Sequence, residues 1–431
     1  MTNPGLMVAL VFALLAAGDG TCRAGPFDLR FVTGIHAHHL ESLPEAASAG
    51  AEALRLWDSG TAWRNLQPSP GVFDFRRLDE WMDSAEKNRL PVVLTLGCTP
   101  EWAAARKDEL SVYGPGCASE PQDMSAWRSY VRTVAHRYRA RIECYEVWNE
   151  ASFPTDQAFA AGAGGDGGEF FTGTVADLVE LTRAASEEIR REDPNACVLT
   201  PSFHTSGDIV AKLDRFLSAG GGPYADAVSF HFYFVHQPEE SVAVMRLVRQ
   251  VLQRHGLTSR PIWNSEVGAA FAQRGSERSD VSDGDWVCSL LLRTLLINFS
   301  EGIERVYWYA WDNSVTGFGG TKGEVGRDGY RAAASLLRGL QDVKCAEHDS
   351  LWLCHLKFQG DGLDAIWDAG REPGRFSALL PQGGSRWGAA RLALAPGSRV
   401  PLDARPILVR RESEDAAEAI LIEPAPRGSG T

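Results

Sequence analysis

Positive charge is what this chain most lacks. Lys and Arg number 43 against 56 Asp and Glu, for a formal net charge of −13, and no Lys/Arg cluster interrupts the acidic background. Attraction to a phosphate backbone or an anionic lipid surface is thereby disfavoured, and nucleic acid is not an expected partner. No Cys-x-x-Cys pair or Cys/His spacing suits zinc. The run His36-Ala37-His38-His39 has no carboxylate at matching spacing, so no metal and no cofactor are expected. The glycine-rich stretch from Ala161 to Gly168 lacks a following Lys-Ser/Thr and reads as a flexible loop, not a phosphate cradle. A membrane span is missing as well: the Leu-rich stretch from Trp286 to Phe299 is too short for a bilayer and contains Arg293, so it reads as a buried helix. No internal repeat is found.

What is present is a chain of 431 residues, 44% hydrophobic and 23% charged, ordinary for a globular protein. Thirteen Trp is a high number. Aromatic faces can stack on the C–H faces of sugar rings, and the remaining Trp, about half, are expected to be core. An apolar run from Leu6 to Ala17, followed by small residues up to Ala24, resembles a secretory leader cleaved after Ala24, although no Lys or Arg precedes it. Export to the periplasm or the extracellular space follows from that reading. Asp19 stands where lipoprotein processing before Cys22 would want a small residue, which argues against a lipid anchor.

Eight cysteines, less Cys22 in the leader, leave seven, so complete pairing is impossible. Cys345 and Cys354 flank two strand-like runs around an Asp349-Ser350 turn, and a two-residue loop would set their sulfurs opposite each other. Cys98 and Cys117 share one long loop and could also bridge. Cys144, Cys197 and Cys288 lie in apolar patterns and are expected to be core thiols.

Eight strand candidates alternate with helical patterns: Arg30 to Ile35, Ala53 to Trp57, Pro91 to Leu96, Ile142 to Trp148, Cys197 to Thr200, Ala227 to Phe232, Pro261 to Asn264 and Arg305 to Tyr309. Leu78, Trp81, Met82 and Ala85 form one apolar helix stripe; Trp127, Tyr130, Val131, Val134 and Tyr138 form another. Thr174 with Asp177 is a capping box opening a third helix. This alternation predicts an α/β fold, a TIM (β/α)8 barrel over residues 25–340. Short alternating runs between Gly and Pro turns predict a small C-terminal β domain over residues 341–411, and residues 412–431 read as a flexible tail.

Two carboxylates stand out against this frame. Glu150 falls just past the fourth candidate strand and Glu266 just past the seventh, and in such barrels the C-terminal strand ends face one mouth. Across it their carboxyls could stand about 5 Å apart, the separation at which a retaining glycosidase operates. Three strings carry a resemblance: Trp148-Asn149-Glu150, Trp263-Asn264-Ser265-Glu266, and the stretch from Arg55-Leu56-Trp57-Asp58 through Pro70-Gly71-Val72-Phe73-Asp74 to Pro100-Glu101-Trp102. Over roughly residues 30–340 the chain resembles the clan A retaining glycoside hydrolases, family 39 most closely, and more loosely that family's bacterial exopolysaccharide-processing members.

The resemblance implies that Glu266 is the nucleophile, Glu150 the acid/base, and a β-linked polysaccharide or oligosaccharide the substrate. It further implies that Asn149 binds the sugar 2-hydroxyl, that Arg55 and Tyr233 support the nucleophile with His231 on the same strand face, and that Trp308 or Trp311 floors the site. His36 is a candidate sugar contact, whereas Trp63 and Trp102 read mainly as packing. Two other readings use the same residues: a non-catalytic carbohydrate-binding barrel, and an inverting hydrolase or lyase with a wider carboxyl gap.

Overall fold

Short β-branched and aromatic runs, each followed by an amphipathic helix, build a parallel sheet in which every strand is covered on both faces. The computed structural model describes residues 31–151, 170–204, 209–234, 236–269, 283–313, 318, 323–370, 375–380, 382–388, 392–411 and 420–424. The leader, the stretch from Ala161 to Gly168 and much of the tail lie outside the described residues. Contacts divide the chain into two units: residues 31–274 with 301–327, and residues 275–300 with 328–431.

The first unit holds nine parallel strands: β1 (Val32–His36), β2 (Ala53–Leu56), β3 (Val92–Leu96), β4 (Cys144–Val147), β5 (Cys197–Leu199), β6 (Phe203–His204), β7 (Val228–His231), β8 (Ile262–Val267) and β9 (Ile303–Trp308). Their order in the sheet is β5-β4-β3-β2-β1-β9-β8-β7-β6. β5 and β6 are two pieces of one barrel position, interrupted at Pro201. A parallel bridge between Leu199 and Ala227, with Thr200 N–H donating to the Ala227 carbonyl at 3.1 Å, links this position to the β7 side. Eight positions result, as the alternation predicts. The fifth candidate is split in two, because proline has no N–H for a continuous ladder.

The helices form where the apolar stripes lie. Leu78, Trp81, Met82 and Ala85 are the buried residues of α1 (Arg76–Lys87). The helix α2 (Met124–Arg137) buries Trp127, Tyr130, Val131 and Val134, and Asp123 caps it by accepting from Ser125 N–H. Thr174 and Asp177 form the reciprocal capping box at the start of α3 (Val175–Glu192). Eleven of the thirteen Trp are buried, leaving Trp102 and Trp286 half-buried. The abundance of Trp therefore reports core packing far more than the expected half.

The second unit contains a six-stranded sheet, β10-β11-β12-β17-β14-β15, and a three-stranded one, β16-β13-β18. They are built from β10 (Asp342–His348), β11 (Leu351–Lys357), β12 (Gly362–Asp368), β13 (Phe376–Leu380), β14 (Gly384–Arg386), β15 (Leu392–Leu394), β16 (Ser398–Pro401), β17 (Ile407–Arg411) and β18 (Leu421–Pro424). Leu351, Ile366, Ala378, Leu380, Leu402 and Ile407 share its core. The Leu-rich helix Asp283–Ser300 groups with this unit: its Arg293 donates to the Ala404 carbonyl, and Trp387 donates to the Cys288 carbonyl. β18 stands within the stretch read as a tail; its four residues pair antiparallel with Phe376 to Leu379 of β13. None of the described helices is long and apolar enough to cross a membrane.

Three disulfides are present, Cys98–Cys117, Cys144–Cys197 and Cys345–Cys354, and Cys288 is a buried free thiol. Cys345 and Cys354 are direct partners in the β10–β11 register, as the two-residue turn requires. Cys144 and Cys197, expected as core thiols, are instead bonded to each other. They are register partners on the parallel neighbours β4 and β5, a pairing that a sequence separation of 53 hides from local pattern.

Candidate active site

Burying a charge inside a barrel requires an opposite charge and a full set of hydrogen bonds. Arg55 on β2 and Glu146 on β4, both fully buried, meet that demand together. Arg55 Nε donates to Glu146 Oε2 at 2.8 Å, Nη2 contacts the same oxygen, and Thr95 Oγ1 donates to it at 2.9 Å. The other oxygen takes the Ser229 hydroxyl. Burial alone would raise the Glu146 pKa, but the Arg55 charge, His231 and these hydrogen bonds bring it below the usual carboxylate range. The sequence reading gave Glu146 no role. A carboxylate inside the apolar run Cys-Tyr-Glu-Val-Trp was the available signal.

The rest of the Arg55 guanidinium reaches toward the barrel mouth. Nη1 donates to Glu266 Oε2 at 2.8 Å, and Nη2 donates to Asn149 Oδ1 at 2.7 Å. With its oxygen so occupied, the Asn149 amide is left with its N–H2 as donor. Tyr233, just beyond β7, donates its hydroxyl to Glu266 Oε1 at 2.9 Å. Glu266 lies inside β8 rather than past its end, because pairing with β9 continues through a register shift between Asn264 and Val267. Such irregularities commonly re-aim side chains next to functional sites.

Glu150 follows β4 through an unusual backbone. Trp148 and Glu150 both have positive φ, 75° and 46°, a conformation that non-glycine residues adopt at a cost and that clusters at functional sites. Trp148 is buried, with its Nε1 donating to the Phe170 carbonyl at 2.7 Å, and Glu150 N–H donates to Ser202 Oγ at 3.1 Å. Among the described residues the Glu150 carboxyl has one close partner, His231 Nδ1 at 2.8 Å from Oε1, and His204 stands 3.9 Å away.

The carboxyls of Glu150 and Glu266 and one ring nitrogen of His231 lie within 4.8 Å of one another. They form the only group among the described residues with the spacing of metal ligands. Glu266, however, already takes donors from Arg55 and Tyr233, which suits proton chemistry better than a cation. Burial pushes both carboxyls above the ordinary range, and the charge of Glu150 adds to the rise at Glu266. The donors on Glu266 favour its ionised form, which leaves Glu150 the better placed of the two to carry a proton. Burial holds the His231 ring down to about 4 and lowers His204 and His36 too, so all three are neutral near pH 7.

The remaining expected residues have these places. His36, ending β1, is buried; its Nε2 donates to the Ser265 carbonyl at 2.9 Å and stands 3.4 Å from Arg55 Nη1. Trp308 stacks on Phe318, and Trp311 meets the same ring edge-on while its Nε1 donates to Glu45 at 3.2 Å. Trp63 is fully buried, stacks on Tyr130 and donates to Gln67 Oε1. Trp102 donates to the Gln67 carbonyl. Asp58, Tyr113, His204 and Tyr309 also line the neighbourhood and were not singled out from sequence.

This fold agrees with that of known proteins. Residues 46–142 match a family model described as β-galactosidase, of glycoside hydrolase family 42. A family 39 glycoside hydrolase from the gut symbiont Bacteroides cellulosilyticus superposes with a TM-score of 0.64 at 14% identity, over 88% of this chain and 80% of that one. A family 39 β-xylosidase from Caulobacter crescentus gives 0.59 at 17% identity, over 90% and 97%. The family 39 enzyme of Xanthomonas axonopodis pv. citri gives 0.54 at 15%, over 94% and 96%. No curated protein matches the chain by sequence. The fold is thus that of the clan A glycoside hydrolases, family 39 among them.

Proposed function

We propose that the chain is a secreted retaining glycoside hydrolase that cleaves a β-linked polysaccharide or oligosaccharide by double displacement. The observation that carries this reading is the convergence of Glu150 and Glu266 from opposite parts of the barrel, one carboxylate oxygen of each lying within 4.8 Å of the other, which fits the roughly 5–5.5 Å spacing of retaining pairs better than the roughly 6.5–9.5 Å that inverting enzymes need for a water. Glu266, ionised and held by Arg55 and Tyr233, attacks the anomeric carbon. Glu150 protonates the departing glycosidic oxygen, then takes a proton from the water that releases the sugar from Glu266. The Asn149 amide donates to the sugar 2-hydroxyl, an interaction that strengthens in the transition state.

His231 suits the protonated state of Glu150: its ring, neutral near pH 7, can accept at Nδ1 from the Glu150 carboxyl. Three disulfides support export to an oxidising compartment. The test is a 2-deoxy-2-fluoro β-glycosyl fluoride: peptide mapping is expected to find the label on Glu266, with turnover by Glu266→Gln lowered by about 10⁴ or more. Label on another residue, or full turnover by that variant, sinks the reading.

A further inference from the structure

Asp58 ends the second barrel strand on the same mouth as the catalytic pair, with a positive φ of 58°. Its exposed carboxylate lies near phenols from two other loops. Tyr309, beyond β9, donates to Oδ2 at 2.7 Å. Tyr113, in the loop closed by Cys98–Cys117, stands in its electrostatic field and accepts from Trp57 Nε1 at 2.8 Å. Among the described residues no Lys, Arg or His forms an ion pair with Asp58, in a chain where the other site anion, Glu146, is fully neutralised. An exposed carboxylate at the mouth that takes one hydroxyl and has no cation paired to it keeps acceptor capacity for the hydroxyls of a ligand.

Its place around the barrel indicates what that is. Glu150, His204 and His231 occupy the fourth, fifth and sixth positions, the side from which the leaving group is protonated. Asp58, His36 and Tyr309 occupy the second, first and eighth, the opposite arc, and the His36 and Tyr309 rings touch edge-on with centroids 5.0 Å apart. Asp58 therefore stands on the arc of the mouth away from the acid/base. Its charge contributes to the upward shift of Glu150, and the charges of both Asp58 and Glu266 contribute to that of Tyr309, so the Asp58–Tyr309 pair shares the mouth with both acids.

Building on the double-displacement reading, we propose that Asp58 is a specificity-determining residue of the glycone subsite: its carboxylate accepts hydrogen bonds from hydroxyls of a neutral retained sugar and repels a ring bearing its own carboxylate. Neutral hexoses and pentoses are thereby the favoured class and uronic acids the rejected one.

The test uses isofagomine, a hydroxylated cyclic cation, measured by calorimetry, together with nitrophenyl β-glucoside and β-glucuronide as a matched substrate pair. Asp58→Ala is expected to bind isofagomine about 10- to 100-fold more weakly, the usual loss for a hydrogen bond to a charged group. Asp58→Asn, which keeps shape and one acceptor, is expected to lose less and to raise the glucuronide-to-glucoside ratio of kcat/KM about tenfold, a change that a merely structural role would not produce. Unchanged binding by Asp58→Ala, or an unchanged ratio in Asp58→Asn, overturns the proposal. Glu266→Gln keeps the two readings apart. If it loses isofagomine while both Asp58 variants match the unaltered protein, only the Asp58 role fails; if the unaltered protein neither binds isofagomine nor hydrolyses either glycoside, both fail.

Discussion

Glu146 and Glu150 stand four residues apart on one strand end, yet their surroundings are opposite. Glu146 is walled in by Arg55, Thr95 and Ser229 and is held ionised. Glu150, one layer nearer the mouth, has His231 as its close partner, and burial raises its pKa. The lower carboxylate is satisfied and the upper one is left short of donors. A charge that anchors needs every lone pair occupied, whereas a group that must give and take a proton needs a vacancy where substrate will come. Arg55 joins the layers, since the one guanidinium both neutralises Glu146 and supports Glu266 and Asn149.

Exchanging the protonatable group for an inert one should break the contrast most sharply. Glu150→Gln is expected to lower kcat/KM by about 10²–10⁴ on substrates with poor leaving groups, and to abolish the basic limb of the pH–rate profile, because that limb reports loss of the Glu150 proton. On a glycosyl fluoride the first step should be nearly spared, read as a burst of released fluoride. Steady slow release without a burst would remove Glu150 from the acid role.

Damage to the lower layer should appear in stability. Glu146→Gln leaves the Arg55 charge buried and half-paired, at a cost of about 3–5 kcal/mol, measurable by urea unfolding. Activity should fall as well, because Arg55 would lean toward Glu266 alone. A variant as stable as the parent would show that the layers are not coupled through Arg55.

Much of the upper layer was legible and most of the lower one was not, for a physical reason. Asn149-Glu150 and Glu266 end strong β-patterned runs, and a strand end in a barrel is a place, so their convergence follows from counting strands. Tyr233 and Arg55 came with the family resemblance and are found on Glu266. Glu146, Ser229 and Thr95 sit inside strands, where the two-residue period says only which face a side chain occupies and never which distant strand it will touch. The same blindness hid Cys144–Cys197, partners across β4 and β5. Asp58, Tyr113 and Tyr309 escaped because loops set their contacts, and loop geometry leaves little trace in periodicity.

A milder cut tests why Glu266 differs from Glu150. Tyr233→Phe removes one of the two donors to Glu266 and should lower kcat/KM by about tenfold. The hydrogen bond favours the ionised carboxyl, so its loss raises the Glu266 pKa and moves the acidic limb of the profile to higher pH. A limb that stays in place would mean that Arg55 alone keeps Glu266 charged.

The smallest effect is one of stability, and its sign discriminates. The folded-state pKa of Glu150 lies above its unfolded value through burial, so the folded protein holds that proton more tightly. Its contribution is therefore fully present below the unfolded value of about 4.3 and is lost as pH rises through the folded one. Glu150→Gln cannot ionise and escapes this loss, so the variant should be matched to the parent in acid and gain roughly 1 kcal/mol over it above neutrality, the usual size for a single substitution. Glu146→Gln must behave in the opposite sense. Its folded pKa lies below the unfolded one, so the parent's advantage over that variant should be present above about 4.3 and shrink as the solution is acidified through the folded value. Two Glu→Gln changes four residues apart on one chain, with stability–pH curves bending in opposite directions, would be the solution signature of an anchoring charge beneath a working one.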